Sequence, residues 1–159
     1  MRRVFSLVSV GLLVLMASVV QAQAQVFNLT AALSGSSETP PVVTGAFGSA
    51  TVTVDMATQT VTYAVTVFNM PTGTTASHFH VGGPALAGPT VVNFTPATGI
   101  SNDYSFSGTA TTLSNARAEQ GIRSWEDFLQ ALLGGNTYIN VHSTANPGGE
   151  IRGQVIRVP

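Results

Sequence analysis

Histidine is the residue of this chain best suited to chemistry, and the chain has three. His78 and His80 lie two apart in Ala-Ser-His-Phe-His-Val-Gly-Gly-Pro, residues 76–84. His142 ends Thr-Tyr-Ile-Asn-Val-His, residues 137–142, and runs into Ser-Thr-Ala-Asn-Pro-Gly-Gly-Glu. On an extended strand, residues two apart project from the same face, roughly 7 Å apart by the strand rise. His78 and His80 therefore share a face and Phe79 points the other way. By the same alternation Tyr138, Asn140 and His142 share a face, while Ile139 and Val141 belong to the core. If the two strands are neighbours, three imidazoles converge. Three nitrogen ligands without a thiolate suit copper or zinc. The competing expectation is plain, because polar residues fill the outer face of any strand. What favours a site is exclusivity: every histidine lies in one of two segments bounded by Gly and Pro.

Other residues stand near this set. Tyr138 and Asn140 are candidates for orienting the ligands. Glu150 and Arg152 lie two apart and share a strand face, which allows either a salt bridge or support of His142 from behind. Other chemistries have no foothold. There is no cysteine, so neither a disulfide nor a thiolate is available. No Gly-x-Ser-x-Gly elbow or phosphate-cradling glycine loop occurs. The only adjacent acids, Glu126 and Asp127, fit the first turn of a helix. No catalytic residue is assigned, and the enzyme question leans towards no.

The elements that must position the histidines are strands. Residues 48–54 and 61–67 alternate apolar and small or Thr positions with period two, and Asp55 to Gln59 links them as a hairpin. Further strands are expected near 26–34, 76–82, 90–94, 103–112, 136–142 and 150–158. One segment has helical period instead. Trp125, Phe128, Leu129, Leu132 and Leu133 form a single apolar stripe, Ser124 is the N-cap and Gly134 the stop. This helix is expected to plug an open side of the β-structure. A shorter helical turn is expected within 117–123.

Charge is sparse. The 159 residues hold 6 Lys+Arg and 7 Asp+Glu, and all the cations are arginine. No basic patch exists to displace counterions from nucleic acid or to bind an acidic membrane surface. Two arginines belong to the start, where Arg2 and Arg3 precede an apolar run from Val8 to Val20. Ala22-Gln23-Ala24 gives the small-x-small pattern of a signal-peptidase site, with cleavage expected after Ala24, or else after Ala22. The run is short of the roughly 20 residues of a membrane span. Residues 1–24 thus read as a signal peptide, and 25–159 as one secreted or periplasmic domain without a membrane segment.

With these residues in place, a resemblance is visible. Ala-Ser-His-Phe-His-Val-Gly-Gly-Pro followed by Gly-Asn-Thr-Tyr-Ile-Asn-Val-His-Ser-Thr-Ala-Asn-Pro-Gly-Gly-Glu-Ile-Arg-Gly-Gln resembles the CHRD domain, over roughly Phe27 to Ile156. That family is named after chordin, an extracellular antagonist of bone morphogenetic proteins, and occurs in microbes as single exported domains. Phe79 departs from it, since the family often carries a smaller or aliphatic residue between the histidines. A more distant likeness joins Ser-His-Phe-His-Val-Gly-Gly to the His-x-His strand of copper–zinc superoxide dismutases. Three histidines cannot form their bridged metal pair, so only the candidate ligands His78, His80 and His142 carry over, with Arg152 a possible guide for an anion.

The resemblances imply an all-β Greek-key sandwich or barrel, immunoglobulin-like or superoxide-dismutase-like, with one short helix in a crossover near 124–133. Three functions follow as expectations. The first is a non-catalytic exported binding module with a three-histidine copper site, zinc being the alternative metal. The second is a metal-free adhesive domain with an extracytoplasmic protein or matrix partner. The third is a copper redox enzyme acting on superoxide.

Overall fold

The computed structural model describes residues 25–159 except Ala97. The signal peptide expected over residues 1–24, with its cleavage site, lies outside the described residues. Nine strands follow in the order β1 Val26–Ser34, β2 Phe47–Asp55, β3 Thr60–Met70, β4 Thr74–Val81, β5 Thr90–Asn93, β6 Asn102–Ala110, β7 Thr137–Ser143, β8 Ile151–Gln154 and β9 Ile156–Arg157. One helix, α1 (Trp125–Leu133), lies between β6 and β7. The alternating segments became strands within about three residues of where the pattern placed them, except the last. The expected strand 150–158 is broken at Val155, which is fully buried and donates its N–H to the Thr137 carbonyl. The expected turn within 117–123 is a short 3₁₀ turn, Ala118–Gln120, ending at Gly121 in the left-handed conformation.

All pairings are antiparallel, in the order β5-β4-β7-β8-β1-β2-β3-β6 with β9 beside β1. The fold is therefore all-β. β7 returns through the long connection holding α1 to lie beside β4, on the side away from β5, as in a Greek key. The sheet curls until its ends approach, and the chain beyond β6 closes the remaining gap. There Ser114 and Asn115 donate to the Val91 carbonyl, and Ser114 Oγ accepts from Asn93. The exposed edge of β5 is thus covered, which removes a template for unwanted strand pairing.

The core follows the period of two. Ala50, Val52 and Val54 of β2 lie beside Val65, Tyr63 and Val61 of β3 and, with Val67, turn one buried face to the interior. Phe79 has no exposed surface, and its ring meets Tyr63, Phe94 and Phe128 edge-on. Phe128 brings α1 into this cluster, with Leu129 and Leu132 also fully buried. The helix start is fixed by a complete capping box between Ser124 and Asp127. Trp125 then ties the helix to the β2–β3 hairpin by donating Nε1–H to the Gln59 carbonyl at 2.7 Å. The apolar stripe of the helix is a core contact.

Candidate metal centre

β4 and β7 are hydrogen-bonded neighbours, with His78 opposite Asn140, Phe79 opposite Ile139 and His80 opposite Tyr138. This register places all three histidines on one face. One ring nitrogen from each lies within 4.8 Å of the others. Phe79, Ile139 and Val141 are fully buried on the opposite face.

The histidine face is less open than strand alternation implies. His80, Tyr138 and Asn140 are buried, while His78 and His142 are partly buried. The reason is two loops that alternation does not encode. Residues 82–89 fold back so that Val81 donates to the Pro89 carbonyl and Gly82 to the Asn136 carbonyl. Residues 35–42 form a second cover, closed by the Val42 N–H on the Gly35 carbonyl.

The loops also fix the protons of the rings. His80 Nδ1 lies 2.8 Å from the Gly88 carbonyl. A carbonyl only accepts, so Nδ1 carries the proton and Nε2 keeps a lone pair. Gly88 has to be glycine, because a Cβ there would collide with the Val81 carbonyl. The same Gly88 carbonyl accepts from Tyr138 Oη, and the Gly88 N–H donates back to it, both at 3.1 Å. His142 Nδ1 lies 2.7 Å from the Pro147 carbonyl, which likewise leaves its Nε2 free. His142 Nε2 is 3.1 Å from His78 Nδ1. Two nitrogens bound tetrahedrally at 2.0–2.1 Å would be roughly 3.3 Å apart. Held in this way by carbonyls, the His80 and His142 rings fit a divalent metal: their Nδ1 protons are spent and their Nε2 atoms keep lone pairs.

Electrostatics point the same way. Burial, followed by the neighbouring His142 and His80, lowers the pKa of His78 to about 4. Burial also lowers the pKa of His80, only partly opposed by its bond to Gly88. Both are therefore neutral at pH 7, the form that binds metal.

The remaining sequence candidates are placed differently from one another. Tyr138 stacks on His80 with centroids 4.8 Å apart and rings 12° from parallel, so it buttresses that ring. Glu150 and Arg152 form no salt bridge with each other. Glu150 is turned to its own loop, where Oε2 accepts from Ser143 Oγ at 2.7 Å and Asn146 Nδ2 at 2.6 Å. It thereby sets the Asn-Pro-Gly-Gly turn that carries the Pro147 carbonyl. Arg152 is buried over the Tyr138 ring, 3.4 Å from its centroid, and donates to the Gly83 and Leu86 carbonyls. Its Nη2 bonds go to the 82–89 loop and its Nη1 donates to Thr39 Oγ1 at 3.4 Å, so it is buried as an anchor of both loops rather than a free guide for anions. The two residues miss each other because Glu150 precedes β8, where the strand alternation has not begun.

Sequence reasoning missed Glu38 and Gly88. Glu38 is buried beside Asn140, and burial raises its carboxyl pKa, only partly opposed by Arg152. It sits in the 35–42 loop, with nothing in its surroundings to mark it except the scarcity of acids.

A family model, the CHRD domain, matches residues 29–155. The chain belongs to this family. The CHRD match spans β1 to Val155 and includes both histidine segments. Neither a curated protein nor a solved structure matches the chain. Among the described residues no helix is long and apolar enough to cross a membrane.

Proposed function

We propose that this CHRD domain is an exported, non-catalytic binding module that holds one divalent metal at His78, His80 and His142, copper(II) in preference to zinc. One observation carries the reading: three ring nitrogens meet within 4.8 Å, and carbonyls take the outward protons of two of the rings. Copper is preferred because an imidazole set without thiolate follows the affinity order in which copper(II) exceeds zinc. Export is supported by the basic start, apolar run and Ala-Gln-Ala pattern of residues 1–24.

The test is metal content. Mature protein purified without a histidine tag should take up about one equivalent of copper or zinc, as structural sites do. A triple His→Ala variant should take up none. Equal metal content in the two would remove the reading and leave a metal-free protein-binding domain as the better account.

A further inference from the structure

We propose that Asn140 supplies a fourth ligand atom, its Oδ1, and that Glu38 is a positioning residue that holds the amide in the orientation this requires. The inference rests on the metal reading above and deepens it.

Asn140 lies on β7 two residues before His142 and directly opposite His78, and it is 2 % exposed. Its Oδ1 is 3.0 Å from His142 Nε2. His78, across the β4–β7 register from Asn140, brings its Nδ1 to within 3.1 Å of that same His142 Nε2. The proton of His142 is already committed to the Pro147 carbonyl. In the neutral form, the one that binds metal, the ring carries only that proton, so Nε2 then presents a lone pair to an oxygen that also has only lone pairs. His78 Nδ1 can place a single proton between them. One ring nitrogen of His80 lies within 4.8 Å of those of His78 and His142, and the Thr90 hydroxyl is its Nε2 neighbour at 3.5 Å. Asn140 Oδ1, His142 Nε2 and His78 Nδ1 thus share one proton, whereas a cation would satisfy all three together.

Reversing the amide would relieve His142 by presenting Nδ2–H to it. Glu38 opposes this. A Cβ on Gly149 would lie 2.7 Å from Glu38 Cδ and 2.9 Å from Asn140 Nδ2, which places the carboxyl and the amide nitrogen side by side. The reversed amide would set Oδ1 against a carboxylate. The Glu38 carboxyl, whose buried Oε1 has no hydrogen-bond partner, thus lies on the Nδ2 side of the amide and leaves Oδ1 to the rings. The resulting centre has three nitrogens and one neutral oxygen. It fills the position that catalytic zinc sites keep open for water, which matches a binding rather than a hydrolytic role.

The experiment uses the mature untagged protein with zinc. Side-chain amide NMR should show the Asn140 Cγ and Nδ2 signals moving on zinc addition, in step with the histidine ring signals. Asn140→Ala and Glu38→Gln should each weaken zinc binding by at least about tenfold. Cobalt(II) bound to wild type should show the intense visible bands of a four-coordinate centre, altered in Asn140→Ala. Histidine signals that move while Asn140 signals stay fixed would overturn the inference and leave the three-histidine site standing. That measurement needs no variant, so a misfolded Asn140→Ala does not blunt it. Wild type that binds zinc no better than the triple His→Ala protein would overturn both readings.

Discussion

Adjacent glycines in the Asn-Pro-Gly-Gly turn should respond oppositely to alanine. Gly149 adopts φ of +139°, where a side chain is strained. Its missing Cβ leaves the room taken by the Glu38 carboxyl and Asn140 Nδ2. Glu38 cannot swing away freely, because it is only 8 % exposed. Backbone strain costs about 1–3 kcal/mol and overpacking about 1–3 kcal/mol. Some relaxation brings Gly149→Ala to about 2–4 kcal/mol of lost stability, a large part of the roughly 5–15 kcal/mol of a whole domain. Because the displaced groups orient the centre, metal affinity should fall by roughly 10–100-fold as well. Gly148→Ala is the control. A Cβ there meets nothing within 4 Å, so the change should stay within about 0.5 kcal/mol and leave metal binding intact. Urea unfolding of the metal-free proteins, with zinc titration alongside, reads both quantities. Two variants that behave alike would refute the account of this turn as the frame of the site.

Three further outcomes are expected. Free metal at about 100 times its dissociation constant should stabilise the protein by about 2.7 kcal/mol, and a chelator should return the melting temperature to the metal-free value. The metal-free protein should lose stability as pH falls from about 6.5 towards 4, because burial and the neighbouring rings hold His78 at about 4 while the unfolded chain takes up the proton first. His80 acts with the same sign. Glu38 acts with the opposite sign, since its folded carboxyl keeps a proton to higher pH than the unfolded one. Discounted for the partial exposure of His78, its share is about 1–2 kcal/mol; urea midpoints equal at about pH 7.5 and about pH 5 would contradict it. Phe79→Ala should cost about 3–5 kcal/mol by opening a cavity among Tyr63, Phe94 and Phe128, measured by the same unfolding transition.

The strands and the helix were legible because both have a period, and a period is a property of neighbouring residues. Val61 to Val67 shows its buried face to anyone who counts by two. The meeting of the histidines was legible one level up. His-x-His on one strand and Asn-x-His on another needed only adjacency, and the β4–β7 register supplies it. The orienting groups were not legible for a different reason: most act through backbone atoms or through distant loops. The Gly88 and Pro147 carbonyls fix two tautomers, yet a carbonyl is present at every position and leaves no trace in the sequence. Glu38 reaches Asn140 from over a hundred residues away along the chain. The Glu150–Arg152 pairing failed because alternation was extended across a turn, where it does not hold. The two segments of the family motif divide the labour accordingly: the histidines present lone pairs, and the glycines and prolines shape the backbone that takes up the protons on the other side. Side chains alone are half of such a centre, because a histidine nitrogen is made available to a metal by whatever accepts the proton of its twin.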